Sequence, residues 1–343
     1  MKRILCLTLL LGLLPAPLWA GTATMENAVP AELKTRKERI ITLEHENDKF
    51  GGDSDRHYTT GSRASYMDRN WHTPGFVDII DRLVPTFASN DTTTIIYSVG
   101  QNIFTPEDKT IAAAQPDERP WAAFLYGSVG IATLTDNHVD EIELTMGMVG
   151  PAALGEPVQK FVHRLVDAPE PQGWDNQLKN EPGIILSVQR RWPEAWSMGM
   201  GRYALSAAPY GGLTAGNIYT YANTGLNLRF GSRSARWDDM PLRVRPAMPG
   251  TGYFDGTKDG GPDWFIFGGL DGRAVARNIF LDGNTFTDSA SVDKLPFVLD
   301  ANLGVSTTWG PARLSYTIVW RSKEFQGQHD PDIFGAFSVG YRF

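Results

Sequence analysis

Phe334-Gly-Ala-Phe-Ser-Val-Gly-Tyr-Arg-Phe343 closes the chain. Counting back from Phe343, every second residue is large and apolar: Tyr341, Val339, Phe337. Arg342, Gly340 and Ser338 between them are small or polar. Successive side chains on a strand point to opposite faces, so one face here is greasy and the other is not. Aromatics at both ends of such a strand suit the two interfaces of a transmembrane barrel wall. The last strand of a soluble β-sandwich can carry the same alternation, so the rest of the chain must decide between them.

The other end points to export. Met1-Lys-Arg is a short basic region, Ile4 to Leu14 is apolar, and Pro15-Ala-Pro-Leu-Trp-Ala20 leads to a cut after Ala20. Residues 1–20 read as a secretory signal peptide, too short for a membrane helix, and 21–39 as a polar N-terminal lead. The one cysteine, Cys6, falls in the signal, so the mature chain has no disulfide framework and no thiol nucleophile. No later segment resembles a transmembrane helix, and the mean hydropathy is mildly negative. A membrane form must then be a closed barrel, because only helices and barrels satisfy their own backbone in lipid. The expectation is an all-β, closed antiparallel transmembrane β-barrel over residues 40–343, of about 12 strands at about 10 residues per span, with short loop helices. It places the chain in a Gram-negative outer membrane. The terminal Phe343 resembles the signal by which such proteins engage the barrel-insertion machinery. Without Lys2 and Arg3, 30 basic residues face 39 acidic ones, a net charge of −9, which argues against nucleic acid as a partner.

Alternating segments and polar loops run along the whole length. Strands are expected at 39–48, 58–67, 92–103, 121–133, 139–149, 183–192, 197–207, 218–230, 241–246, 264–274, 278–281, 299–309, 313–321 and 334–343. A loop helix is expected within 70–90, where Phe76, Ile79, Ile80 and Leu83 have helical spacing.

Three groups of residues carry candidate chemistry. Gly155 to Val166 places Val158, Phe161, Val162, Leu165 and Val166 on one face of an amphipathic helix, with Pro157 in its first turn. His163 lies off that stripe beside Gln159 and Lys160. It is either a surface histidine or a catalytic histidine at the barrel rim, flanked by carboxylates that bind a metal or orient the ring. Glu44-His-Glu-Asn-Asp48, followed by Asp53 and Asp55, is dense in oxygen ligands suited to calcium, or is a solvated acidic strand end. Tyr58-Thr59-Thr60-Gly61 offers hydroxyls to the same mouth. A Gly-x-Ser-x-Gly elbow, a paired-cysteine zinc pattern and a phosphate-cradling glycine loop are all missing from the sequence.

Several motifs together resemble the outer-membrane lipid A 3′-O-deacylase family. They are Glu46-Asn-Asp-Lys-Phe50, Asp55-Arg-His-Tyr-Thr-Thr-Gly61, Gly100-Gln-Asn-Ile-Phe-Thr-Pro106, Asp117-Glu-Arg-Pro120, Gly150-Pro-Ala-Ala-Leu-Gly155, Val158-Gln-Lys-Phe-Val-His-Arg164, Gly173-Trp-Asp-Asn-Gln177, Gly216-Asn-Ile-Tyr-Thr-Tyr221 and Arg277-Asn-Ile-Phe-Leu-Asp-Gly-Asn284. The resemblance covers the chain from about residue 40 onward. It implies a 12-stranded barrel and calcium-dependent hydrolysis of the 3′-linked acyl esters of lipid A. By the same resemblance His163 is the catalytic histidine. The asparagine–aspartate pair falls on Asn47 and Asp48, and the hydroxyl residue on Thr59. For the family's second acidic residue a gapless count gives Pro169, with Glu170 one place later. Either the loop shifts so that Glu170 binds the metal, or this chain differs there. Basic residues after the third strand, which meet lipid A phosphates in the family, are represented by Lys109 and Arg119.

The implied mechanism has His163 as general base on a water, with calcium on Asp48 and Glu170 polarising the ester carbonyl. Asn47 and Thr59 place the metal or the oxyanion. Two other classes stay open. One is an outer-membrane phospholipase using a Ser/His pair, for which Ser62 and Ser65 are candidates. The other is a non-enzymatic barrel, either a channel or a structural protein.

Overall fold

Residues 37–52, 57–69, 75, 77, 82, 84, 87–135, 137–232, 239–241, 243–244, 250–257 and 261–343 are described by the computed structural model. The expected signal peptide and most of the lead lie outside them, as do Asp53, Asp55, Phe76, Ile79, Ile80 and Leu83.

β1 (Arg39–Asn47) pairs antiparallel with β2 (His57–Asp68) on one side and with the last strand, β13 (Asp332–Arg342), on the other. First and last strands are therefore neighbours. From β2 the sheet continues through β3 (Thr94–Thr105), β4 (Ala122–Leu134), β5 (Val139–Val149) and β6 (Glu181–Arg191). β8 (Tyr203–Gly216), β9 (Tyr219–Ser232), β10 (Asp263–Asn278), β11 (Phe297–Trp309) and β12 (Ala312–Arg321) return it to β13. β6 pairs with β8, and that ladder closes the ring. β7 (Trp196–Met200) pairs with the start of β8 in the same sense as β6. Arg191 opposes Tyr210 and Trp196 opposes Ala207, so residues 192–195 face only two partners. A hydrogen bond from Trp192 N to Pro209 O spans the break, and Glu194 takes φ 49°. β6 and β7 are thus one wall strand interrupted by a bulge, and the barrel has twelve wall strands, as expected from the sequence.

Side-chain alternation is inverted relative to a soluble protein. On β13, Phe337, Val339 and Tyr341 point outward and are exposed, while Phe334, Ala336 and Ser338 are buried inside. Ile41, Leu43, Val99, Met146, Leu303 and Val305 continue the outer apolar belt. Charges stand in the lumen, and several are paired: Arg63 with Glu143 at 2.9 Å, and Asp300 with Arg273 at 2.6 Å and Arg321 at 3.0 Å. Buried ions persist only when compensated in this way. The outside of such a wall is built for lipid.

Three expected strands are something else. The expected strand 197–207 holds the tight turn between β7 and β8, with Gly201 at φ 65°, so it is parts of two strands. Asn278–Leu281 forms a short helix, Ile279–Asp282, with Asn278 capping Phe280 N at 3.1 Å. Ile279, Phe280 and Leu281 are all buried, which the two-residue period of a strand does not allow. Within 241–246, Pro241, Arg243 and Val244 are not in a strand. They belong to a segment that folds back into the lumen. Arg243 Nε reaches Glu46 at 3.1 Å, Val244 O accepts from the Tyr126 hydroxyl at 3.0 Å, and Asp239 pairs with Arg191. Tyr253 and Phe254 pack on Ile40, Met67 and Ile96. A cavity of about 90 Å³ beside this segment is room for a few waters. The expected hairpin around Asp136-Asn-His138 is present as β4–β5. Gly75, Val77 and Arg82, within the expected loop helix, are helical.

Candidate active site on the outer wall

The candidate residues lie at the rim opposite Arg39 and Phe343. β1 ends at Asn47, and a 3-10 turn, Asp48–Phe50, follows. Asn47 Oδ1 accepts from Lys49 N at 2.9 Å, and its Nδ2 donates to Thr59 O at 3.0 Å. Asp48 is buried, with Oδ1 accepting from Lys49 N at 2.9 Å. The turn is pressed onto β13: a Cβ on Gly51 would stand 2.4 Å from the Phe334 carbonyl carbon.

Thr59 sits in a bulge. Tyr58 opposes Phe104 and Thr60 opposes Ile103, which leaves Thr59 without a cross-strand partner. The extra residue lets Tyr58 and Gly61 both face the lumen, where a Cβ on Gly61 would be 2.1 Å from the Tyr58 hydroxyl. The Thr59 hydroxyl meets that of Thr105 at 2.7 Å. On β3, Ile103 and Thr105 alternate with the exposed Val99 and so lie on the outer face, yet both are buried. What covers this part of the wall is the segment between β5 and β6. Ile103 packs with Trp121, Ala153 and Trp174, and Gln101 Nε2 donates to Ala153 O at 2.6 Å.

That segment contains α1 (Gly155–Leu165), mounted on β3 and β4. A Cβ on Gly155 would lie 2.4 Å from Ala123 Cβ and 2.6 Å from the Trp174 ring, so only glycine allows so close an approach. Gln159 and His163, one turn apart, are buried, and Gln159 Oε1 accepts from Trp174 Nε1 at 2.8 Å. Val158, Phe161, Val162 and Leu165 are exposed, Leu165 to 75%. The amphipathic helix turns its polar face to the protein and its apolar face outward, the reverse of the arrangement in water.

His163 Nδ1 lies 2.5 Å from Pro169 O. A carbonyl only accepts, so Nδ1 carries a proton, and in the neutral ring the lone pair is then on Nε2. The position where counting placed an acidic residue thus supplies a backbone oxygen to the ring. Glu170 is half exposed, 3.8 Å from Lys160, which pairs with Glu156 at 2.9 Å. Among the described residues, no group of three His, Cys, Asp or Glu converges as a metal site. Asp48, Asn47 and Thr59 still supply only hard oxygen donors, the chemistry calcium takes. Glu170 lies beside Lys160 and does not join them.

Other expected groups are dispersed. Alternation splits the acidic run: Glu44 and Glu46 are buried in the lumen, and His45 points outward to Ser62 Oγ at 2.9 Å. Ser65 is in the lumen beside Arg63 Nε at 3.1 Å. Arg119 is 1% exposed, 3.3 Å from Glu324 and stacked 4.8 Å over the Phe104 ring, so it is not presented to a phosphate. Lys109 is buried in its loop, its carbonyl accepting from Gln172 N at 2.9 Å. Sequence reasoning missed Thr105, Trp174 and the Pro169 carbonyl. Thr105 and Trp174 had a signal, since each stands in one of the quoted motifs.

A profile of the family described as outer membrane protein LpxR matches residues 5–343. Among solved structures the chain is similar to LpxR from Salmonella typhimurium, with 19% identity over 88% of this chain and 99% of that one and a TM-score of 0.70. That likeness concerns the barrel fold. The β domain of the Bordetella autotransporter BrkA is similar at 10% identity, over 90% and 98% of the two chains, with a TM-score of 0.38. The translocator domain of NalP from Neisseria meningitidis follows at 11%, 90%, 89% and 0.35. No curated protein sequence matches.

Proposed function

This chain belongs to the outer membrane protein LpxR family, and we propose that it is a calcium-dependent hydrolase removing the 3′-linked acyl chains of lipid A. It is an outer-membrane β-barrel. The observation that carries the proposal is the placement of His163. Its Nδ1 is held by Pro169 O, and it is buried between an outward-apolar helix and the lipid-facing wall. A substrate that lives in the membrane reaches such a site sideways, through lipid, without entering the lumen.

In this reading His163 Nε2 takes a proton from a water as the oxygen attacks the ester carbonyl. The same nitrogen returns that proton to the departing sugar oxygen, which leaves a free fatty acid. The Pro169 carbonyl keeps the ring in the required tautomer and supports the imidazolium that forms. Asn47 and Thr59 orient the carbonyl end of the ester. Calcium, held by Asp48 with Glu170 as the second expected ligand, would supply charge for the developing oxyanion. The outer face of α1, from Val158 to Leu165, would hold the helix among acyl chains.

Purified protein with His163→Ala, assayed for fatty acid release from lipid A in calcium, is the direct test; release at the wild-type rate sinks the base assignment. One observation favours a second reading. His45 and Ser62 form a hydrogen-bonded pair on the lipid-facing wall, as an outer-membrane phospholipase of the serine type requires. Inactivation by a serine-directed reagent, abolished in Ser62→Ala, would support that reading instead. The channel alternative is opposed by the segment lodged in the lumen.

A further inference from the structure

β1 stops at Asn47, while the strands on both sides of it run on. Asn47 is in register with Thr60 of β2 and Gly335 of β13. The space beyond it is bordered by residues 57–59 on one side and 332–334 on the other, and the Asp48–Phe50 turn packs there against β13 and β2. Across this gap two side chains meet directly: His57 Nδ1 is 2.6 Å from Asp332 Oδ1. Its Nε2 is 3.6 Å from Glu118 Oε2, brought by the loop after β3. Gln328 Nε2, from the loop before β13, lies 3.3 Å from Asp332 Oδ2 and 2.9 Å from Asp330 O. The Phe325 ring stands edge-on to the imidazole at 5.5 Å. His57 is wholly buried.

The backbone at His57 is also unusual. Its φ is 61°, in the left-handed region that costs a β-carbon residue about 1 kcal/mol or more, and the Thr59 bulge follows two residues later. A conformation of that kind persists where its surroundings fix it. Here the surroundings are two carboxylates from two different loops and strands.

We propose that His57, Asp332 and Glu118 form a clamp over the end of β1 that positions Thr59 and the Asn47–Asp48 turn for the reaction. His57 is a positioning residue: it acts through Thr59 and the turn, and does not itself touch the substrate. The inference rests on the deacylase reading above. At this rim, beyond the apolar belt, burial disfavours the charged ring but Asp332 and Glu118 outweigh it, so the imidazole titrates above its ordinary value; Arg119 opposes them. Asp332 from β13 and Glu118 and Arg119 from the loop after β3 are the charged groups around the ring.

The test uses full-length protein in detergent, as wild type, His57→Asn and Asp332→Asn. Asparagine tolerates left-handed backbone and removes the imidazole that meets Asp332 and Glu118. In His57→Asn, kcat for fatty acid release is expected to fall about tenfold or more, with KM changed by less than about threefold, because a misplaced group costs rate more than binding. Folding is followed by heat-modifiable gel mobility, and Asp332→Asn serves if His57→Asn does not fold. A kcat within about twofold of wild type overturns the proposal. Hydrogen exchange at the amides of residues 48–52 is read without substrate. The clamp predicts exchange about tenfold faster or more in the variant, and unchanged exchange overturns it. If wild-type protein releases no fatty acid, the deacylase reading falls, and the exchange result still decides the clamp.

Discussion

Asn47 and Thr59 are tied across the rim of the barrel, the Asn47 amide donating to the Thr59 carbonyl at 3.0 Å. The same asparagine caps the following turn through Lys49 N. One side chain therefore joins the end of β1, the β2 bulge and the Asp48 turn. Asn47→Ala removes both bonds. Loss of a cap costs about 1 kcal/mol, which a barrel of this size tolerates, so the protein should fold. Fatty acid release should fall by about a hundredfold, as for loss of one oriented donor. Retention of full activity in a folded variant would contradict the role given to Asn47.

Gly155 sets how closely the helix sits on the wall. A methyl group there would lie 2.4 Å from Ala123 Cβ and 2.6 Å from the Trp174 ring. Gly155→Ala must lift the helix, and His163 with it, from the wall. A displacement near 1 Å predicts a loss of about a hundredfold in kcat with an intact barrel. Gly201→Ala, at the β7–β8 turn where nothing stands within 4 Å, is the control for a glycine change away from the site. Its φ of 65° costs some stability but should spare kcat.

Phe161 and Leu165 are exposed on the outer face of α1. If that face lies in acyl chains, Phe161→Asp with Leu165→Asp should depress activity about tenfold or more on lipid A in bilayers and much less on lipid A dispersed in detergent. Equal losses in both would place the helix in water. A tryptophan at position 161, quenched by brominated lipid in the folded protein, gives the same answer independently of activity.

The rim clamp predicts a pH window. His57 titrates above its ordinary value, so its contribution is full below about pH 6.5 and is lost as pH rises through the raised value. For Glu118, burial pushes up, but the hydrogen bond and charge of His57 outweigh it and hold the carboxyl below its usual range. That contribution is present above about pH 4.3 and is lost as pH falls through the depressed value. Protection of the 48–52 amides should therefore peak in mildly acidic to neutral solution and fall on both sides. In His57→Asn the alkaline fall should vanish; its persistence would assign it to another group.

Much of this was legible in the sequence, for physical reasons. The alternation in Phe337, Val339 and Tyr341 reports the lipid-facing wall because a strand has a period of two. The stripe from Val158 to Leu165 reports a helix, but not which way it faces: the same pattern packs inward in water and outward in lipid. That is why the sequence leaves His163, off the stripe, as either a surface or a rim histidine, while the structure buries it. The lumen segment around Arg243 was mistaken for a strand because its contacts, to Glu46 and Val244 to Tyr126, are distant in sequence. Asn278–Leu281 read as a strand from its apolar residues, and its cap was overlooked. His57 and Asp332 are far apart in the chain, and no local pattern announces a pair formed by strands meeting beyond the end of a third.

The most direct measurement is mass spectrometry of lipid A from cells carrying this protein, the His163→Ala variant or neither, in calcium and in chelator. The account predicts loss of the mass of the 3′-linked acyl chains with the wild-type protein alone, abolished by chelator. An unchanged lipid A profile, with wild-type protein confirmed in the outer membrane, would contradict it, and so would the same loss in His163→Ala.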